Sequence, residues 1–340
     1  MSREDLRPAE TAAGKRIDGL AKEPRLFFAK NLRLNPADKV AIAYLLLIAL
    51  LITIFSYRIN WWLFLLLSHA LAIETVLLVA GWKRADTPSS VATPGAGLAR
   101  FVRGWYPVAL IPITYKELSY LIPLIHPRDF DAALAAIDRR FLGVNPTVWL
   151  ERFTWPPLTE ALQLIYSSYY LLPIILGVVL WRSERLEEFH FWVFIVVVGF
   201  YLSYLGYIAV PAIGPRFLPE IVQAQTQPLT GVWLFHSLRA ALDRAEGITR
   251  DCFPSGHTEL TLLVLCYARR FHRKTFWCLL PIGTCIVMST VYLRYHYVID
   301  VVAGALVTAA IVMTAKPLYR VLGGDAARDP RPNLINSSRP

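Results

Sequence analysis

The chain has 340 residues, 55% hydrophobic and 18% charged, with a formal charge of +10. Soluble domains average about 45–50% apolar and about 25% charged, so disorder, a fibrous chain and a disulfide-stapled module are excluded and a water-soluble globule is disfavoured. The basic excess suits either nucleic acid or the cytoplasmic loops of a membrane protein, and the positions of the charges decide between them.

The first 39 residues are polar and charged, with no apolar run behind a short basic start. No cleaved signal peptide is expected from them. An apolar stretch of about 20 residues crosses the hydrocarbon as a helix, and such stretches at 40–57, 61–81, 104–125, 158–181, 189–210, 257–268, 275–293 and 299–317 predict roughly eight spans. The sixth is short, and its polar start extends it where protein rather than lipid surrounds it. Between the third and fourth spans, Leu134, Ile137 and Phe141 recur at helical spacing among Asp131, Asp138, Arg139 and Arg140. That pattern predicts an amphipathic segment over 126–157 lying on the outer surface. Residues 84–100 and 320–340 are rich in Pro, Ser, Gly and Ala and read as a loop and a flexible tail. The fold class is therefore all-α, a polytopic transmembrane bundle.

Loop charges orient the bundle. With the amino terminus inside, 24 Lys and Arg fall on inner segments and 10 on outer ones, and Lys116 lies within the third span. Arg269, Arg270, Arg273 and Lys274 form the strongest cytoplasmic anchor. Both termini are then cytoplasmic, the charge reads as topology, and no nucleic-acid partner is expected. Cys266, Cys278 and Cys285 sit in apolar runs and Cys252 has no evident partner, so neither a disulfide nor a cysteine metal site is expected.

Three polar groups then meet at the outer face: Gly214-Pro215-Arg216, Pro254-Ser255-Gly256-His257-Thr258, and Arg294-Tyr295-His296-Tyr297 followed by Asp300. His296 and Asp300, four apart, share a helix face, so the carboxylate can bond one imidazole nitrogen and leave the other free to attack phosphorus. The same spacing also suits a pair that only satisfies itself at a helix end. Ser255, Gly256 and His257 open a helix, where free amides favour an anion and His257 can protonate a leaving alkoxide; a plain helix start with an interfacial His is the alternative. Arg216 and Arg294 can clamp phosphate oxygens or contact lipid headgroups. Lys116 and Glu117 lie mid-span, where charge faces the bundle interior, as an internal pair or as part of a substrate pocket. Tyr166, Tyr169 and Tyr170 read as helix packing.

Pro254-Ser255-Gly256-His257 and His296-x-x-x-Asp300 resemble the second and third signature motifs of the type-2 phosphatidic acid phosphatase superfamily, over roughly residues 158–317. The resemblance implies a six-helix phosphatase/haloperoxidase-like core, with His296 forming a phosphohistidine, Asp300 orienting it and His257 as the acid. Ala209 and Phe217 replace the first motif's Lys and Pro around Arg216, and Thr290 stands where the third motif has Arg. The run Tyr292-Leu293-Arg294-Tyr295-His296-Tyr297 is more similar to the inositol phosphorylceramide synthase branch.

The parts are then a cytoplasmic segment 1–39, amino-terminal transmembrane helices 40–125, the amphipathic segment 126–157, a catalytic core 158–317 and a cytoplasmic tail 318–340. The expected activity is that of an integral-membrane lipid phosphatase or phosphotransferase acting on a phospholipid or isoprenoid phosphate at the outer face. Ser255, Gly256, Arg216 and Arg294 would hold the phosphate. No metal and no cofactor are expected, because arginines and helix amides supply the positive charge. A lipid transporter or flippase is the competing class, but its paired discontinuous helices are not visible.

Overall fold

The computed structural model describes residues 34–81, 96–247 and 250–324. The expected cytoplasmic start up to residue 33, most of the 84–100 loop and the tail from residue 325 lie outside the described residues. All regular structure among the described residues is helical.

Helix α1 (Pro36–Ile54) begins with a reciprocal cap: Asn35 Oδ1 accepts from the Asp38 amide and Asp38 Oδ2 from the Asn35 amide, both at 2.8 Å. The arrangement satisfies two orphan donors at once, and Pro36 at the first helical position suits it further. After α2 (Trp62–Gly81) come α3 (Ala96–Trp105) and α4 (Pro107–Ile125), which together make one 29-residue span, Gly97–Ile125. The helix therefore starts inside the stretch expected as a loop. The Tyr106 hydroxyl, at the join, donates to Asp38 Oδ1 at 2.7 Å and ties this span to α1.

Helices α6 (Pro156–Ser167) and α7 (Leu171–Arg182) form the next span, followed by α8 (Leu186–Ala209), α10 (Gly256–Phe271), α11 (Arg273–Tyr292) and α12 (Val298–Val321). Among the described residues, seven helical stretches are long and apolar enough to cross a membrane. The sixth expected span is α10, a helix of 16 residues whose first turn is polar and buried. Helix α12 continues to Val321, past the expected start of the tail.

Helix α8 is the hub. It is apolar all round, so it is suited to burial on every side, and α1, α4, α7, α10 and α12 pack against it. Phe189, Trp192 and Phe194 are fully buried there. In lipid such burial is stabilised by packing rather than by dehydration.

One end of the bundle is basic. Lys39 Nζ donates to the Leu322 carbonyl at 2.7 Å, and Arg185 donates to the Phe271 carbonyl beside the Arg269–Lys274 turn. The opposite end carries α5 (Asp131–Leu142) and α9 (Phe235–Glu246).

Helix α5 turns its acids inward together with Leu134 and Ala135. Asp131 and Asp138 are buried, while Phe141 is 80% exposed. The reason is hydrogen bonding. Asp131 accepts from the Ile213 and Gly214 amides at 2.9 and 2.8 Å and from the Tyr297 hydroxyl at 2.9 Å. Asp138 accepts from the Val298 and Ile299 amides at 2.8 and 2.9 Å, the first donors of α12, where a carboxylate also meets the positive end of the helix dipole.

Replacing Asp138 by Ala removes that external cap and should lower stability by about 1–2 kcal/mol, measured by denaturation in detergent. An unchanged unfolding midpoint would contradict this role.

Candidate active site

The site is built where α10 and α12 begin. Ser255 Oγ accepts from the Thr258 amide at 3.3 Å and from the Thr258 hydroxyl at 3.1 Å, capping α10, and the Ser255 amide donates to the Asp300 carbonyl at 3.0 Å. The direction a Cβ on Gly256 would take is filled by the Tyr207 hydroxyl of α8. Glycine is thus required there by helix packing, in addition to any approach of a phosphate.

His296 Nδ1 lies 2.8 Å from the Cys252 carbonyl oxygen. A carbonyl only accepts, so Nδ1 carries the proton and the lone pair resides on Nε2. Asp300 Oδ2 stands 3.5 Å from the same Nδ1. The carboxylate expected to hold the imidazole directly therefore stands one step back, with its shorter bonds going to the Tyr297 amide at 2.8 Å and to Cys252 Sγ at 2.9 Å. Cys252, without an evident partner in the sequence, joins the two residues: its sulfur, His296 Nδ1 and an Asp300 oxygen lie within 4.8 Å of one another. Burial and then Asp300 push the thiol's pKa well up, so Cys252 acts as a neutral donor.

His257 lies opposite, its ring centroid 5.7 Å from that of His296. Tyr166 stacks on it at 4.3 Å and Tyr169 flanks it at 4.2 Å. The tyrosines expected to serve helix packing thus clamp the second histidine. Among the described residues, His257 Nε2 is buried without a hydrogen-bond partner, a state that costs about 1–3 kcal/mol unless a ligand group fills it.

The two arginines expected at the phosphate have different settings. Arg216 bonds Asp243 at 2.9 Å and lies 4.6 Å from the centre of the Tyr295 ring. Arg294, at φ +66°, has other partners: it donates to Gln225 at 2.7 Å, Glu151 at 3.1 Å and the Gln227 carbonyl at 2.8 Å. Its guanidinium braces a loop. Thr290, in the place of the family arginine, supplies its carbonyl to the Tyr295 and His296 amides, both at 3.0 Å.

A residue outside the sequence reading completes the group. Arg239 of α9 lies 5.2 Å from the Tyr295 ring centre and, among the described residues, has no ion pair. Its signal was present: Phe235, Leu238 and Leu242 recur at helical spacing and Gly247 closes the helix at φ +63°. Glu160 of α6 fixes α9 by accepting from four successive amides, Val232 to Phe235, at 2.7–3.2 Å.

Lys116 and Glu117 part company. Glu117 pairs with His69 of α2 at 3.4 Å, an internal pair, whereas Lys116 lines a cavity of about 410 Å³ together with His257, Glu246 and Asp251.

The sequence profile of the PAP2 superfamily matches residues 132–314. The chain belongs to the PAP2 superfamily. A PA-phosphatase related-family protein of Dictyostelium discoideum is 26% identical over 190 residues, covering 49% of this chain and 34% of that protein. The chain thus spans about a third of that relative's length. No solved structure matches. The PAP2 match extends from α5, whose acids hold the Gly214 loop and the start of α12, to within α12 itself.

Glu246 and Asp251 both line that cavity, and burial followed by repulsion from Asp251 raises the Glu246 pKa; burial raises that of Asp251. A raised folded pKa means that the folded state binds more protons, so stability is full below the ordinary carboxylate range and falls as pH rises through the folded pKa. Glu246→Gln should flatten that fall, gaining relative to wild type on the alkaline side in thermal denaturation from acidic to alkaline pH. Parallel curves for the two proteins would contradict the raised pKa.

Proposed function

We propose that this protein cleaves a lipid phosphoester at the outer membrane face through a phosphohistidine on His296. The observation that carries the reading is the histidine pair: one ring with its lone pair committed to Nε2, and a second ring 5.7 Å away whose Nε2 has no partner among the described residues.

The Nε2 lone pair of His296 attacks phosphorus while the bond to the lipid alcohol breaks, and the departing oxygen takes a proton from protonated His257. Asp300 and the Cys252 carbonyl stabilise the charge that develops on the His296 ring. In the second step an acceptor oxygen attacks the phosphohistidine, its proton passes to the now neutral His257, and the nitrogen–phosphorus bond breaks. Arg216 and Arg239, with the amides at the start of α10 and the Ser255 hydroxyl, are suited to the phosphate oxygens. Arg294 serves by fixing the loop that ends in His296.

The basic end of the bundle supports a cytoplasmic assignment for that end, which leaves the site on the periplasmic or lumenal side. Water as acceptor makes a phosphatase of a phospholipid or isoprenoid phosphate; a lipid hydroxyl makes a headgroup transferase. The Tyr292–Tyr297 pattern supports the second form, of the inositol phosphorylceramide synthase type.

The test is incubation of the purified protein with a panel of lipid phosphates, with and without alcohol acceptors, following free phosphate and new lipid by mass spectrometry. Wild type should turn over at least one donor and His296→Ala none. Full activity of His296→Ala would sink the mechanism. Arg239→Gln should lower kcat/KM by about a hundredfold, measured on the same donor; an unchanged value would remove Arg239 from the phosphate site.

A further inference from the structure

The cavity beside His257 is lined by neither His296 nor Arg216 nor Arg239, so it does not belong to the phosphate. Along α8 its lining runs from Phe189 to Tyr207. At 1.5 Å per residue those positions are about 27 Å apart, close to the hydrocarbon thickness of about 30 Å. A volume of about 410 Å³ over that length makes a slender channel lying along the direction of a lipid chain, and it falls within the size range of ligand pockets.

Its two ends differ in chemistry. The far end is aromatic and aliphatic, with Trp105, Gly177 and Phe189. The near end meets His257 and carries Lys116, Glu246 and Asp251. There the Tyr170 hydroxyl donates to Glu246 at 3.0 Å and the Tyr115 hydroxyl to Asp251. Two carboxyl groups disfavour a phosphate but readily hydrogen-bond a neutral hydroxyl. One wall, from Gly104 to Lys116, comes from α3 and α4, outside the residues that the PAP2 profile matches.

We infer that this channel seats the lipid alcohol of the reaction, a single long apolar chain with its hydroxyl oxygen at His257, and that α3 and α4 set which chain is accepted. The inference rests on the proposed phosphoryl chemistry, because His257 exchanges its proton with that oxygen. On departure, the phosphorus–oxygen bond breaks and the oxygen takes the proton of His257. For a hydroxylated acceptor the oxygen–phosphorus bond forms, the His296 nitrogen–phosphorus bond breaks and the hydroxyl proton goes to His257.

The test uses the whole protein in nanodiscs and hexadecanol carrying a diazirine within its chain. Irradiation should label residues of the 104–116 and 169–177 stretches. Excess hexadecanol, but not butanol, should suppress the label by roughly tenfold or more, since each added methylene strengthens burial. Val196→Trp, which fills the channel near its middle, should lower labelling to a similar degree. Label confined to the lipid-facing surface, or label that butanol suppresses equally, would overturn the assignment, and the competition on wild type decides even if the variant does not fold. Labelling needs no turnover, so active protein labelled elsewhere sinks the channel alone, whereas correct labelling with an active His296→Ala sinks only the chemistry.

Discussion

His296 donates from Nδ1 to the Cys252 carbonyl at 2.8 Å, and this bond commits the imidazole to one tautomer and one orientation. A backbone carbonyl cannot take the proton away, so Nε2 keeps its lone pair whatever the charge on Asp300. The carboxylate at 3.5 Å then acts on the ring through space, and in a buried setting that interaction is much stronger than in water. The loop 252–255 and the start of α12 must therefore be held in register to within a fraction of an ångström. Most of the polar end of the bundle serves that requirement.

Carboxylates hold the register by accepting from backbone amides. Asp131 takes the Gly214 loop, Asp138 the start of α12, Glu160 the start of α9 and Glu151 the Thr226 and Gln227 amides together with Arg294. Each joins segments far apart in sequence. Gly214, at φ +95°, sits where a Cβ would press on the Tyr295 carbonyl, so the first polar group can approach the third only with glycine there. The apolar bundle supplies a rigid frame, and these acids place the reactive groups on it.

Hydropathy made the spans legible, because lipid requires long helices whose backbone is satisfied internally. The two histidines were legible from their motifs. What escaped was direction. Asp131 and Asp138 lie on a pattern that suits a solvated face equally well, and only their amide partners, some 80 to 160 residues away in sequence, turn them inward. Arg294 read as a phosphate ligand because arginine beside the histidine is chemically apt; Glu151 and Gln225, which engage it, are remote in the chain. Arg239 was hidden because α9 is a short helix in a polar stretch with no span on which to register it.

If His296 is the nucleophile, its Nε2 becomes covalently bonded to phosphorus during turnover. The most direct measurement is rapid quenching of the purified protein with its lipid phosphate donor, followed by peptide mass spectrometry under alkaline conditions. A phosphoryl group on His296 that is labile in acid, forms and decays at the rate of turnover and is absent from His296→Ala is the result expected. Turnover with no phosphorylated His296, or with the phosphoryl group on another residue, would rule out His296 as the nucleophile.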